Sequence, residues 1–298
     1  MNRGGLAVAV GIIVLAAVVG WGQNLTVAYV EGGVQVRTGS AWSTLAVGDA
    51  ITAAATLKLS DDGFVQLKGP GLDFTFSRPG TYVIKDVVAA KKSLSAGGAG
   101  AALASALHYM AVGPGQRAST AAGARGADQS KSDDQDWMDS SAAVFLAAGK
   151  EYIKAQKYDK ALDQLNEALD AASDQEIPEI RYNIAYASSM TGDVRGAWKQ
   201  MQGLQPGPSD AWRGDFVILK AKMLEDASAF AETTTWLTQS ANDLSGDAEY
   251  APLYYFLLGL GYRGAGQGDN ARQAFSAVVR IAGDTDIGKS AAALLQSP

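Results

Sequence analysis

The chain contains few of the side chains that catalytic centres commonly use. Cysteine is absent, so a thiol nucleophile, a disulfide framework and a cysteine-ligated zinc or iron–sulfur site are excluded. His108 is the single histidine, which excludes a metal site of several histidines. A serine–histidine–aspartate triad would have to use His108. It lies in an alanine- and glycine-rich stretch without a nearby carboxylate in the chain. We interpret His108 as a surface or locally packed side chain.

Carboxylates remain as candidates for acid–base chemistry. A glycosidase needs two carboxyl groups that face one cleft. Asp159, Glu167 and Asp226 are candidates, but the helical period places them on the polar faces of amphipathic helices. The acidic cluster at 133–136 is interpreted as solvated sequence before a helix, not as a metal site. We therefore predict no catalytic residue, no metal and no cofactor, with a carboxylate hydrolase as the weaker alternative.

Charge and glycine patterning argue against nucleic-acid and nucleotide binding. The formal net charge is −6 and the chain has no Lys/Arg run, whereas a nucleic-acid binder carries a basic face. Glycine-rich runs occur at 97–100 and 264–268. Neither has the strand-then-helix context or the Lys-Ser/Thr pair that phosphate binding requires.

The N-terminus has the pattern of an export signal. Arg3 precedes an apolar run at 6–19, and small residues stand before a cleavage point ahead of Gln23. The run is shorter than the roughly 20 residues that span a bilayer. We predict a signal peptide over residues 1–22 and export to the periplasm or outer envelope. An uncleaved membrane anchor is the alternative.

Residues 24–88 have the alternation of β-strands. Apolar and polar residues alternate with period two at 26–30, 34–37, 64–68, 72–76 and 81–84. Turns with glycine separate these runs. The pattern predicts a small antiparallel sheet, sandwich or partial barrel.

Residues 89–136 are dominated by alanine, glycine and serine. Such sequence buries too little apolar surface to offset its ordering entropy. We predict a linker here, with a short helix at about 100–110 as an option, and place the domain boundary in it.

Residues 137–298 have the 3.6-residue period of amphipathic helices and repeat internally. Helix pairs are predicted over 142–173, 180–204, 216–240 and 252–281. Their breaks lie near 155–157, 191–193, 226–228 and 264–268, and a last helix covers 287–296. The predicted fold class is therefore α+β with two domains, a small antiparallel all-β domain followed by an α-helical solenoid.

The helical part resembles the tetratricopeptide repeat (TPR) family, in which small and large residues interlock between the two helices of each repeat. The first repeat matches at Phe145, Gly149, Tyr152, Tyr158, Ala161, Leu165 and Ala168, and the last at Tyr255, Leu258, Gly259, Tyr262, Gly266, Ala271 and Phe275. The second matches partly at Ile184, Ala185, Gly192, Ala197 and Met201. The third is weak, with Ala221, Leu224, Phe230 and Leu237, because Thr233 replaces a small residue.

The resemblance implies a concave groove that binds a protein or peptide. Groove positions carried onto this chain are Lys150, Lys154, Tyr182, Tyr186, Lys222 and Arg263. The family's clamp for a C-terminal carboxylate is not supported, because Leu146 and Tyr182 occupy two of its positions. A groove rich in tyrosine with a few cations suits an extended or helical peptide. Packing of these tyrosines against the next repeat is the alternative.

Residues 31–84 resemble a FecR-like domain. The match covers 33–37, the Trp-x-x-Leu-x-x-Gly-Asp turn at 42–49, and the hairpin at 57–67. Within that turn, Leu45 and Val47 are expected in the core. A late element of the family is similar to 121–127, so residues 117–127 are a candidate extension of the β domain. The resemblance implies periplasmic sensing or scaffolding.

These interpretations favour a non-enzymatic scaffold or adaptor of the bacterial cell envelope. The helical groove would bind a protein or peptide partner, and the β domain would sense or attach to the envelope. The alternative is a peptidoglycan or carbohydrate binder, with Tyr29, Trp42 and Tyr82 offering stacking faces. No nucleic acid is expected as a partner, and a membrane only through an uncleaved N-terminal segment.

Overall fold

The computed structural model describes residues 25–70, 72–95, 98–112 and 141–297. Two antiparallel β-sheets come first and a helical region follows, so the fold is α+β, as the sequence predicted. The predicted signal segment and the candidate element at 117–127 lie outside the described residues. In the described part of the chain, no helix has the length and apolar character needed to cross a bilayer.

The β domain consists of two four-stranded antiparallel sheets. The strands are β1 (Leu25–Glu31), β2 (Val34–Arg37), β3 (Trp42–Thr44), β4 (Ala50–Ile51), β5 (Thr56–Leu59), β6 (Phe64–Gly69), β7 (Leu72–Phe76) and β8 (Gly80–Val83). One sheet has the order β4-β1-β6-β7 and the other β3-β2-β5-β8. Alternate residues of both sheets are buried in one core, for example Val27, Val36 and Leu67. Of the three arrangements that the pattern left open, a sheet, a sandwich and a partial barrel, the structure has the sandwich.

The turn before β4 corrects one expectation. Leu45 is buried, but Val47 is 62% exposed. The Asp49 carboxylate accepts a hydrogen bond from the Ala46 N–H at 2.8 Å, and Gly48 adopts a φ of +91°. Because this tight turn fixes the backbone between them, Val47 lies on its outer side.

The segment predicted as a linker is helical in its described part. Helices α1 (Ile84–Ser95) and α2 (Ala99–Val112) cover most of residues 84–112. Val87 of α1 belongs to the β core, and Leu103 and Leu107 of α2 belong to the core of the helical region. Helix α2 agrees with the short helix predicted as an option at about 100–110, whereas α1 was not predicted. Both helices pack on a domain because their apolar residues find partners there.

The remaining helices form a series of hairpins. They are α3 (Ser141–Lys154), α4 (Tyr158–Ala171), α5 (Ile177–Thr191), α6 (Val194–Met201), α7 (Arg213–Asp226), α8 (Phe230–Gln239), α9 (Ala241–Leu244), α10 (Ala251–Gly264), α11 (Gly268–Ala282) and α12 (Asp286–Gln296). The hairpins α3–α4, α5–α6, α7–α8 and α10–α11 break where the sequence predicted, and α12 packs on α11. The short helix α9 was not predicted.

Each hairpin turn has the same backbone conformation. The second residue before the second helix has a positive φ in every case: Gln156, Gly192, Ser228 and Gly266. Glutamine and serine adopt this left-handed conformation only at a cost. Its recurrence shows that the turn geometry is a structural repeat.

Packing inside the hairpins also repeats. Gly149 faces Leu165, and Gly259 faces Phe275 at the same separation in sequence. A Cβ added at Gly259 would lie 2.5 Å from Cε1 of Phe275, which is fully buried. The small residues therefore set the distance between the paired helices.

Gly259→Ala should lower the free energy of unfolding by about 1–3 kcal/mol, because the new methyl group overpacks against Phe275. Gly100→Ala in α2 is the matched control. No atom lies within 4 Å of a Cβ there, so this change should raise stability by about 0.5–1 kcal/mol. Urea unfolding of both variants measures the difference. Equal stability of the two would contradict the close-packing argument.

Candidate functional site

The face formed by α3, α5, α7 and α10, here called the inner face, corresponds to the predicted groove. Helix α2 lies against it, in contact with α3, α7 and α12. The Tyr186 hydroxyl of α5 donates a hydrogen bond to the Leu107 carbonyl of α2 at 3.3 Å. Leu103 and Leu107 are buried in the same core as the helices of this face. The chain therefore places one of its own helices where a peptide was expected.

The predicted groove tyrosines are core residues. Tyr182 is 6% exposed and Tyr186 is 2% exposed. The Tyr182 ring stacks on Trp212 with 5.4 Å between centroids, and Tyr186 packs against Tyr158 at 6.4 Å. Burial raises the pKa of both hydroxyls. Their assignment as open groove residues is wrong, and the alternative of packing between helices describes them.

The four predicted groove cations have intramolecular partners. Lys150 pairs with Glu179, and Lys154 pairs with Glu151 at 2.6 Å. Lys222 pairs with Asp226 at 2.6 Å and donates to Ser189. Arg263 donates to the Leu294 and Ser297 carbonyls at the end of α12. Each of these four side chains is therefore engaged by a group of this chain.

A carboxyl group that the sequence analysis missed lies beside the inner face. Asp215 of α7 accepts a hydrogen bond from the Tyr250 hydroxyl at 3.0 Å. Burial raises the pKa of this carboxyl to about 6, although the hydrogen bond from Tyr250 opposes the shift. Asp215 therefore takes up a proton at a higher pH than an exposed aspartate does.

A second buried carboxyl lies at the end of α7. Glu225 is buried, and neither carboxyl oxygen has a hydrogen-bond partner among the described residues. Burial raises its pKa to about 8, with a further increase from Asp226 and a decrease from Lys91. The group is therefore largely neutral at pH 7.

The aromatic residues considered for sugar stacking lie in separate surroundings. Tyr29 is 44% exposed on β1, and Trp42 is 37% exposed on β3 in the other sheet, with the Arg37 guanidinium 4.9 Å from its ring centroid. Tyr82 is half-buried against Phe76 and donates to the Arg78 carbonyl at 3.0 Å. Among the described residues, no ring contact joins the three into one stacking surface.

A cleft of about 690 Å³ lies between the two domains. On the β side it is lined by the turn between β7 and β8, residues 77–79, and by Asp61. On the helical side it is lined by α6, α7, α8 and the segment 202–206. Tryptophan, glutamine and cationic side chains line the helical side: Trp198, Trp236, Gln202, Gln205, Gln239, Arg213 and Lys220.

Hydrogen-bond donors without acceptors distinguish this interdomain cleft. Ser77 Oγ, Arg78 Nη1 and Trp198 Nε1 are buried and have no hydrogen-bond partner among the described residues. A buried polar group left unsatisfied costs about 1–3 kcal/mol. Three such groups on residues lining one cleft indicate a place for an acceptor.

Two cations meet aromatic rings in the cleft. Lys220 Nζ lies 3.8 Å from the centroid of the Trp236 ring, and the Arg78 guanidinium carbon lies 5.3 Å from that of Trp198. Arg78 also pairs with Glu232 through Nη2. Burial lowers the pKa of Lys220, and the charge of Arg78 lowers it further. Sequence reasoning missed the cleft because its residues come from distant parts of the chain.

The candidate catalytic residues are not assembled into a site. Asp159 and Glu167 are exposed, and Asp226 pairs with Lys222. His108 is partly buried, its pKa is lowered by burial, and its Nδ1 has no partner among the described residues. Within the described ranges no group of three His, Asp or Glu side chains could hold a metal. The cluster at 133–136 lies outside these ranges.

Comparison with protein-family models gives no match for this chain, and comparison with curated proteins gives none either.

Glu225→Gln should remove a pH-dependent loss of stability. The folded pKa of about 8 lies above the ordinary 4.5, so the folded state holds a proton that the unfolded state releases. This group's contribution is fully present below about pH 4.5 and is lost as the pH rises towards 8. The variant should match the native protein at pH 4.5 and exceed it at pH 8, by at most about 4 kcal/mol.

Urea unfolding between about pH 4 and pH 9 measures the effect. Asp226→Asn is the control, because this neighbouring carboxylate is partly exposed and paired with Lys222. Parallel stability profiles for native protein and Glu225→Gln would show that Glu225 ionises normally in the fold.

Proposed function

We propose that the chain is a non-enzymatic binding protein or scaffold whose inner face accepts an apolar helix of a protein partner. The observation that carries the proposal is the seating of α2 on that face by Leu103, Leu107 and the hydrogen bond from Tyr186. A face that holds one helix through an apolar stripe can hold another of the same pattern. In this proposal, α2 occupies the binding face until a partner helix displaces it.

The proposal includes a TPR-like identity for the helical region. Two repeated features support it: the small residue of a first helix that faces a large one, as in Gly149 with Leu165, and the positive-φ residue in each hairpin turn. Both are expected when successive repeats share one packing geometry. Residues 137–298 are then a helical-repeat domain whose partner is a protein or peptide.

A FecR-like identity for the β domain and a place in the bacterial cell envelope are further parts of the proposal. The two-sheet sandwich and the turn with Gly48 and Asp49 support the first. The apolar segment at 6–19 supports export. Contacts between domains, such as the pair of Arg195 with Glu31, support an adaptor in which the β domain and the helices act together.

Opening the inner face should increase its affinity for a helix. Leu103→Asp combined with Leu107→Asp places charges on the buried stripe of α2 and should release it. A labelled peptide of residues 99–112 should then bind at least about 10-fold more tightly than to the native protein, where the tethered helix competes. Fluorescence anisotropy measures binding.

The matched control is Ala101→Asp combined with Ala104→Asp, which adds the same charge to exposed positions of α2. It should bind the peptide as weakly as the native protein. Circular dichroism establishes that the helical content of both variants is retained. Unchanged peptide affinity in a folded Leu103/Leu107 variant would contradict binding at the inner face.

Export should remove the N-terminal segment. When the full chain is produced in a bacterium, the periplasmic protein is expected to begin at Gln23, because small residues precede this position. Intact-mass measurement of the periplasmic and membrane fractions tests this. A full-length mass in the membrane fraction alone would favour the uncleaved anchor.

A further inference from the structure

We propose that the interdomain cleft binds an acidic saccharide, that is, a sugar ring bearing a carboxylate. The proposal does not depend on the function of the inner face, because the cleft is lined by the β7–β8 turn, α6, α7 and α8, and not by α2. Its volume of about 690 Å³ lies within the range of small-molecule sites.

The unpartnered donors on the residues that line the cleft favour a ligand with a hydrogen-bond acceptor. Ser77, Arg78 and Trp198 each have a buried donor without a partner among the described residues. Ser77 and Arg78 belong to the β domain and Trp198 to α6, so packing of the domains makes these three residues line one cleft. A carboxylate offers about four lone-pair sites, against two on a neutral carbonyl oxygen, and forms stronger hydrogen bonds because it is charged.

The charges of the cleft favour an anion. Three cations, Arg78, Arg213 and Lys220, and one carboxylate, Asp61, line the cleft. Lys220 lies over the Trp236 ring, and Arg78 pairs with Glu232 through one terminal nitrogen. These cations lie in a protein whose net charge is −6. A local excess of positive charge within an acidic protein is a selective feature, because the rest of the surface repels anions.

The remaining lining suits a sugar ring rather than a bare ion. Gln202, Gln205 and Gln239 offer amides that can both donate to and accept from hydroxyl groups. Trp198 and Trp236 provide the flat apolar surfaces on which the C–H groups of a sugar pack. A ligand with a carboxylate, hydroxyls and an apolar ring face uses all three kinds of group.

Isothermal titration of the full chain with glucuronic acid tests the proposal, with glucose and inorganic sulfate as comparison ligands. Glucuronate should bind at least about 10-fold more tightly than glucose, which lacks the carboxylate, and than sulfate, which lacks the ring. Equal binding of glucose, equal binding of sulfate, or no saturable binding of glucuronate would each overturn the proposal.

Variants locate the binding. Lys220→Met keeps the apolar stem and removes the charge, so glucuronate affinity should fall at least about 10-fold. Arg272→Met is the matched control, because this exposed cation on α11 pairs with Asp269 away from the cleft. Its affinity should not change. Full affinity in Lys220→Met would place any binding elsewhere and overturn the proposal.

Ser77→Ala separates binding from folding. Removal of an unpartnered buried hydroxyl should leave the melting temperature equal or higher and should weaken glucuronate binding severalfold. A lower melting temperature with unchanged affinity would show that the hydroxyl serves the fold and would overturn its role here. The Leu103/Leu107 variant should bind glucuronate normally, so failure at the inner face and failure at the cleft are distinguishable.

Discussion

Helix α7 has buried residues on opposite faces, and much of the structure is arranged to cover it. Phe216, Leu219 and Met223 share one face of α7, Ile218 lies on the opposite face, and all four are buried. A helix with buried residues on opposite faces must be covered from both sides. The neighbouring hairpins enclose its flanks, α2 lies against its inner side, and the β domain approaches its outer side at the interdomain cleft. The requirement to bury α7 therefore links both domains.

The two sides of α7 are closed differently, and this gives each side its chemical character. The inner side is closed by the apolar stripe of α2, so its contacts are those of a protein core. On the outer side, Phe216 and Lys220 face the turn that carries Ser77 and Arg78. That closure is incomplete and leaves polar groups unsatisfied. Groups that reduce stability without serving the fold are more common at binding sites than elsewhere in a protein.

Two buried carboxyl groups also reduce the stability of the region around α7. Asp215 and Glu225 stand near its two ends, and burial raises the pKa of each, to about 6 and about 8. Burial disfavours the charged form of each, and at pH 7 it leaves Glu225 mainly neutral. The close packing of the hairpins, with Gly149 against Leu165 and Gly259 against Phe275, contributes the opposing stability.

Local patterns in the sequence determined the antiparallel β-strands, the breaks between the paired helices and the interlocking residues of the hairpins. These features depend on the period of apolar residues and on turn chemistry, which short segments express by themselves.

The sequence did not determine the helical packing of residues 84–112 or the burial of Tyr182 and Tyr186. The interdomain cleft could not be predicted from the sequence either, because Ser77, Trp198 and Lys220 line one cleft only when the domains pack together. The composition of the segment that contains α2 did not predict that this helix packs. Its apolar residues are buried because the helical region provides a face for them. Tertiary structure decided these points because burial is a property of the partner surface as much as of the residue itself.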